Sequence, residues 1–260
     1  MDIAYTISGF FVGFIIGLTG VGGGSLMTPL LVLGFGIKPV VAVGTDLLYA
    51  AVTKCGGIWV HHHNGTIRWD IVGLMSAGSL PASGLTIWAL RHFEHQGIDY
   101  GPIITSTLGV ALILTSLVLL LKKQLVLVGG LEHFRAVRAM HKRFQLPITV
   151  VVGIFLGVLV TLSSVGAGAL GAATLFFLYP KLPAVQIIGT DLAHAVPLTA
   201  VAGLGHAHLG TVDFTLLGSL LIGSLPGIYL GSHLGIRLPE HIVRPILATM
   251  LLVIGLRFAF

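Results

Sequence analysis

Gly44-Thr45-Asp46-Leu47 returns as Gly189-Thr190-Asp191-Leu192, 145 positions further along the chain. From Gly44 to Trp88 the register holds without a gap, with about a third of the positions identical, the mark of an internal repeat. His61 and His63 recur as His206 and His208, Gly65-Thr66 as Gly210-Thr211, and Gly78-Ser79-Leu80-Pro81 as Gly223-Ser224-Leu225-Pro226. Upstream, after a one-residue slip, Val21-Gly22-Gly23-Gly24 answers to Val165-Gly166-Ala167-Gly168. A duplicated, apolar, glycine-interrupted chain is a common plan of membrane transporters, with the substrate held where the halves meet.

Composition sets the solvent. The 260 residues are 55% hydrophobic and only 9% charged, with a mean hydropathy of +1.01. Soluble domains carry about 25% charged residues, so lipid must take the place of water here. The net charge of +5 would suit a nucleic-acid partner. Its basic residues fall in short loops rather than on one face, which excludes that class. A single cysteine, Cys55, excludes an intrachain disulfide and a CxxC metal site. The start Met1-Asp2-Ile3-Ala4-Tyr5 lacks the positive region of a cleaved signal peptide, so the first apolar run is expected to be retained.

Apolar runs bounded by charge, Gly or Pro give five elements per half. They are Ile3–Thr19, Ser25–Gly36, Val40–His61, Trp69–Leu90 and Pro102–Leu121, then Leu146–Leu162, Ala169–Leu178, Ala184–His206, Phe214–Leu234 and His241–Phe260. A helix needs about 20 residues to cross the hydrocarbon. The third, fourth and fifth elements of each half qualify, and the first two read as broken or re-entrant helices joined by the glycine turns. The fold class is therefore all-α, a polytopic membrane protein of two helical repeats, 1–121 and 146–260, with a polar linker at 122–145. If each half crosses an odd number of times, ten loop cations including Lys122, Lys123, Arg135 and Arg138 gather on the linker side, against Lys38, Arg91 and Arg257 opposite. If the first two elements form one broken span, the split falls to eight against five. The positive-inside rule favours the first arrangement: inverted repeats, a cytoplasmic linker and both termini outside.

The glycine turns, 20–25 and 163–168, are the first candidate site. Glycine exposes backbone N–H groups, and the helix that follows aims its positive dipole end at the gap. Two such turns brought together form an anion cradle, with Gly22, Gly23, Gly24, Gly166 and Gly168 supplying amides. Thr19, Ser25, Ser163 and Ser164 add hydroxyls. Close helix packing through small residues is the alternative. A nucleotide fingerprint is ruled out, because no strand–helix alternation surrounds Gly20-Val21-Gly22.

Seven of the nine acidic residues fall near helix ends or in loops; Asp46 and Asp191 sit inside apolar helices. A carboxylate at that depth costs about 2.5–3.5 kcal/mol on insertion scales. Either the pair carries protons, or it caps the broken backbone beside the glycine turns with Thr45 and Thr190 assisting. Where the repeat breaks, Lys54 answers to Thr199 and Tyr49 to His194. Lys54 is the cation best placed to hold an anion at depth, unless it snorkels to the interface. His194, three residues after Asp191, is placed for an i,i+3 contact and a proton relay, or for an ordinary bond to a backbone carbonyl.

His61-His62-His63 and their echo His206 and His208 suggest a metal site, but inverted copies stand a membrane thickness apart, about 30 Å. They read instead as interfacial residues closing the third helix, and no metal is expected. Asp70 and Asp213 suit the start of the fourth helix, and Pro81 and Pro226 are expected to kink it and make room for a cavity or hinge. No Ser/His/Asp constellation or HExxH appears, so no catalysis and no cofactor is implied.

Through Gly17-Leu18-Thr19-Gly20-Val21-Gly22-Gly23-Gly24-Ser25-Leu26 followed by Pro29-Leu30-Leu31, through Gly44-Thr45-Asp46 and through Asn64-Gly65-Thr66-Ile67, the chain resembles the sulfite exporter TauE/SafE family. The resemblance covers essentially the whole length. It implies a bacterial or archaeal inner-membrane protein that moves sulfite, sulfoacetate or related organosulfur anions outward, with Gly22, Gly24, Ser25 and Asp46 at matching positions. Ser163-Ser164-Val165-Gly166-Ala167-Gly168 matches more loosely. The partners expected are a small anion and lipid, with homodimerisation left open. A sodium- or proton-coupled importer of another small anion, and a metal-handling protein or enzyme built on the histidines, are the alternatives.

Overall fold

The computed structural model describes residues 3–19, 24–129, 135–235 and 240–259. Among these residues ten α-helices follow one another: α1 (Ile3–Thr19), α2 (Gly24–Pro29), α3 (Pro39–His63), α4 (Trp69–His95), α5 (Gly101–Gly129), α6 (Arg135–Ser163), α7 (Ala169–Leu178), α8 (Ala184–His208), α9 (Phe214–Gly235) and α10 (Glu240–Ala259). A π-helical turn, Leu30–Gly34, prolongs α2. No strand occurs among the described residues. Proline sets φ for a helix start, and α3 opens on Pro39 while Pro183 precedes α8. Both helices end the same way: Gly65 and Gly210 take φ of 61° and 69°, and Thr66 and Thr211 donate back to the His61 and His206 carbonyls at 3.0 Å.

Among the described residues five helices are long and apolar enough to cross a membrane: α4, α5 over Gly101–Leu121, α6 over Phe144–Ser163, α8, and α9 over Phe214–Gly231. Three points differ from the sequence expectation, the first being that the apolar part of α10 among the described residues, Ala248–Ala259, is shorter than a span. The first element of the second half is not short: α6 reaches back to Arg135, and Pro147 lies inside the helix instead of opening it. Helix α3 falls below the apolar threshold although it has 25 residues, because it carries Asp46, Lys54 and three terminal histidines. The polar stretch 122–145 is largely drawn into the ends of α5 and α6.

The halves exchange partners. Helix α1 of the first half lies along α9 of the second, and α6 lies along α4. Both seams are glycine-lined. Gly9, Gly13, Gly223 and Gly227 press on the backbones of Leu220, Ser224, Thr6 and Phe10, while Gly78, Gly153 and Gly157 press on those of Val150, Met75 and Ser79. Without side chains between them the helices gain contact along their whole length, which is how association is driven in lipid. These pairings run in register, so α1 is parallel to α9 and α4 to α6.

Counterpart helices run the other way. Gly44 at the start of α3 meets His206 and Thr211 at the end of α8, and Gly189 at the start of α8 meets His61 and Thr66 at the end of α3. Helix α5 meets α10 in the same sense: Gly109 packs on Phe258, while Ser116 donates to the Ala248 carbonyl at 2.7 Å. Thr45 meets Asp213 before the start of α9 and Tyr49 lies beside Ser224 further along both helices, so α3 runs the same way as α9 and hence as α1. Pro81 and Pro226 sit on exposed faces of unbroken α4 and α9, away from the core.

Candidate functional site

The antiparallel α3/α8 pair forms the centre of the molecule, and its middle is polar. Asp46 is fully buried, Asp191 is 4% exposed and Lys54 7% exposed. Reading along α3, Gly44 lies level with His206, Leu48 with Gly203 and Gly57 with Leu192. Asp46 and Asp191 therefore occupy opposite halves of the crossing, with Lys54 between them and closer to the Asp191 level.

Each charge is held differently. Asp46 Oδ2 accepts a hydrogen bond from the Thr28 hydroxyl of α2, and the Ser164 hydroxyl of the second glycine turn faces the same carboxylate. Lys54 neither snorkels nor forms a close ion pair. Its Nζ donates to the Ala167 carbonyl in the second glycine turn at 2.7 Å, and along the crossing it stands nearer the level of Asp191 than that of Asp46. Asp191 rests on α7, where a Cβ at Gly171 would overlap its Oδ1. Among the described residues Asp46 Oδ1, Asp191 Oδ1, Ser164 Oγ, Tyr49 OH and His194 Nδ1 have no hydrogen-bond partner. Buried polar atoms are normally paired, and these five unpaired ones lie along the α3/α8 crossing and the second glycine turn beside it.

The second glycine turn is built to present backbone. Ser164 has φ 57°, a left-handed conformation costly for a residue with a Cβ, and Gly166 and Gly168 follow at 111° and 143°. Gly171 and Ala172 are the first α7 amides with backbone acceptors, Gly166 and Gly168 respectively. The amides ahead of them belong to the unsatisfied set at a helix start. Ser163, expected to donate to an anion, does not face the site. Its hydroxyl donates to the Leu159 carbonyl at 2.6 Å and accepts from Val165 N at 3.1 Å, bracing the turn instead.

Of the first turn, Gly22 and Gly23 lie outside the described residues, as do the side chains of Thr19 and Ser25; Gly24 opens α2.

Thr45 and Thr190 do not cap the glycine turns. Thr45 Oγ1 accepts from Asp213 N at 3.1 Å, and Thr190 Oγ1 accepts from Arg68 N at 3.0 Å. Each threonine lies next to its aspartate in sequence, so its side chain leaves the helix about 100° away and reaches the α8–α9 or α3–α4 connection of the other half. His194 also looks elsewhere than expected: its Nε2 bonds Ser79 Oγ at 2.8 Å instead of contacting Asp191. Its counterpart Tyr49 lies beside Ser224, so the two Gly-Ser-Leu-Pro serines flank the site from opposite sides. Thr28, Tyr49, Ser79 and the Ala167 carbonyl are site groups that sequence reasoning did not single out.

The histidines stand at the two ends of the α3/α8 pair. His61 Nδ1 meets Thr66 Oγ1 at 2.8 Å and His206 Nδ1 meets Thr211 Oγ1 at 2.9 Å. His206 Nε2 also faces the Thr161 carbonyl at 3.0 Å. Among the described residues no three of His, Cys, Asp and Glu come together as metal ligands. Asp213 caps α9, accepting from Thr215 N and Leu216 N at 2.9 Å. Asp70, in the first turn of α4, pairs with Arg68 at 2.7 Å on the exposed surface.

Comparison with known proteins follows the same outline. The profile described as "Sulfite exporter TauE/SafE" matches residues 5–258. The chain is 37% identical over 257 residues to "Probable membrane transporter protein YjnA" of Bacillus subtilis, covering 99% of both chains. It is 28% identical to "Probable membrane transporter protein YdhB" of the same organism, over 96% of this chain and 97% of that one. With "Probable membrane transporter protein MJ0441" of Methanocaldococcus jannaschii it shares 27% identity, over 96% and 92% of the two chains. No solved structure matches.

Proposed function

From the premise that the chain belongs to the sulfite exporter TauE/SafE family, we propose that this multi-pass membrane transporter carries a small sulfur-containing anion outward by alternating access. Sulfite, sulfoacetate and related organosulfonates are the substrate class. The protein resides in the inner membrane with 122–145 on the cytoplasmic side, and its halves are inverted repeats across the bilayer. The antiparallel course of α3 against α8 and of α5 against α10 supports that inversion.

The observation that carries the reading is the junction of Lys54 with the second glycine turn at the middle of the α3/α8 crossing. There an ammonium, the unpartnered Ser164 hydroxyl and the first amides of α7 lie within one buried region. These are the donors a small oxyanion requires. Asp46 and Asp191 are the candidate proton carriers. Thr45 and Thr190, bonded across the halves at either end of the crossing, are placed to part and re-form as one half rocks against the other.

Efflux of radiolabelled sulfite from proteoliposomes tests the proposal. The wild-type protein should release it at least tenfold faster than protein-free liposomes, and Lys54→Gln should lose most of that rate. A Lys54→Gln variant that folds and transports sulfite at the wild-type rate would remove Lys54 from the substrate site. Saturable sulfite uptake that requires sodium would replace the exporter with the importer.

A further inference from the structure

The duplication is broken where the charges are, and the breaks do not fall evenly. Asp46 has a hydroxyl donor from its own half, Thr28. At the equivalent place beside Asp191 the one-residue slip brings Ala172, and the neighbouring Gly171 leaves bare backbone against Asp191 Oδ1. Lys54 has no second copy; its counterpart Thr199 is spent on the Ala195 carbonyl at 2.9 Å. So one carboxylate has a fixed neutral donor, while the other lies against the start of α7, four residues along the chain from the carbonyl that holds Lys54. That lysine's anchor is a single backbone carbonyl in a turn that also presents amides.

We propose that Asp191 is the proton-binding group of the transport site and that Lys54 decides its charge. With Lys54 beside it, Asp191 is a carboxylate. When an anion at the second glycine turn draws the ammonium to itself, Asp191 takes one proton from water. The deepening rests on the anion-transport reading above. The charges balance on both sides of the step: Lys54 and Asp191 sum to zero without substrate, and Lys54, a monoanion and protonated Asp191 sum to zero with it. The loaded form then differs from the empty one by one anion and one proton, and the occupied site carries no added charge.

Few other groups can take this role. Helix α3 brings Lys54 and Asp46 towards Asp191, and also His61, which stands near Gly189 and bonds Thr66. Helix α4 brings the Arg68–Asp70 pair, exposed and satisfied by itself one residue away at Thr190. Helix α7, and α6 over residues 144–163, carry no titratable side chain. On α8 itself, His194 is engaged with Ser79 and His206 with Thr161 and Thr211. Asp46 keeps the Thr28 hydroxyl as its donor and lies in the other half of the crossing.

Infrared difference spectroscopy of the purified protein tests the switch without any substrate. Lys54→Gln should display the carbonyl stretch of one additional protonated carboxyl relative to wild type. That band should vanish in Lys54→Gln/Asp191→Asn, persist in Lys54→Gln/Asp46→Asn, and be missing from Lys54→Arg, which keeps the charge. No band in Lys54→Gln, or a band removed by Asp46→Asn instead, overturns the proposal. Calorimetric titration with sulfite in mildly acidic solution, where it is the monoanion hydrogen sulfite, in two buffers of different ionisation enthalpy supplies the second arm. Wild type should take up about one proton per anion, and Asp191→Asn should bind sulfite with none; binding without proton uptake in wild type also overturns the proposal. Should wild type bind no sulfite while the infrared pattern appears as described, the substrate reading fails and the Lys54–Asp191 switch stands.

Discussion

Adding one methyl group to a glycine should have opposite effects on the two faces of α4 and α9. At Gly78 a Cβ would strike the Val150 carbonyl and come within 2.9 Å of Ile154 N; at Gly223 it would strike the Thr6 carbonyl and come within 2.9 Å of Phe10 N. Both obstacles are backbone, so no rotamer change relieves them. Ordinary contact begins at 3.4 Å, and 3.4 minus 2.9 leaves about 0.5 Å by which the seam must open for the milder contact alone. A gap of about 0.5–1 Å forfeits a quarter to a half of each dispersion contact it touches. Overpacking of this kind costs about 1–3 kcal/mol, against a helix-propensity gain of about 0.5–1 kcal/mol for replacing glycine by alanine. Gly78→Ala and Gly223→Ala should therefore each lose up to about 2.5 kcal/mol, a fall in thermal midpoint of up to about 10 °C. Gly84 on α4 and Gly218 on α9 have nothing within 4 Å of that position, so Gly84→Ala and Gly218→Ala should gain up to about 1 kcal/mol. Thermal unfolding of the four variants in one detergent gives the comparison. If Gly78→Ala and Gly223→Ala are as stable as Gly84→Ala, α4 does not lie on α6, nor α9 on α1, as described.

Two further outcomes probe the site and its ends. Thr28→Val removes the donor of buried Asp46 and should cost about 1–3 kcal/mol, whereas Thr28→Ser, which keeps the hydroxyl, should lose less than half as much in the same assay. Thr45→Val and Thr190→Val each orphan one backbone amide of the opposite half. They should cost equal amounts, about 1 kcal/mol each, and add in the double variant because the two bonds sit at opposite ends of the crossing. Unequal or strongly coupled losses would contradict the symmetry of the α3/α8 pair.

Features that repeat were legible in the sequence, and features that depend on exchange between the halves were not. The duplicated Gly-Thr-Asp motif located both buried acids, and Pro39, Gly65, Pro183 and Gly210 bounded α3 and α8 closely, because these residues act on the backbone beside them. The direction of a side chain on a buried helix was a different matter. Thr45 and Asp46 are neighbours in sequence, yet one reaches the opposite half's loop and the other Thr28. Ser163 and Ser164 are neighbours too, and only Ser164 turns inward, since its left-handed backbone reverses the chain between them. The serines of Gly-Ser-Leu-Pro offered a signal that went unused: a hydroxyl repeated beside a lipid-facing proline has to bond inward, and Ser79 does so to His194. Thr28 gave none, because its partner lies 18 residues away across a π-helical turn and its copy is alanine.

The central claim concerns where a small oxyanion rests inside lipid, and a cryo-electron microscopy map of the protein with saturating sulfite addresses it most directly. Compact density touching Lys54 Nζ, Ser164 Oγ and the amides at the start of α7 is the result this account predicts. Sulfite density at the His61 or His206 end, with Lys54 still on the Ala167 carbonyl, would contradict it.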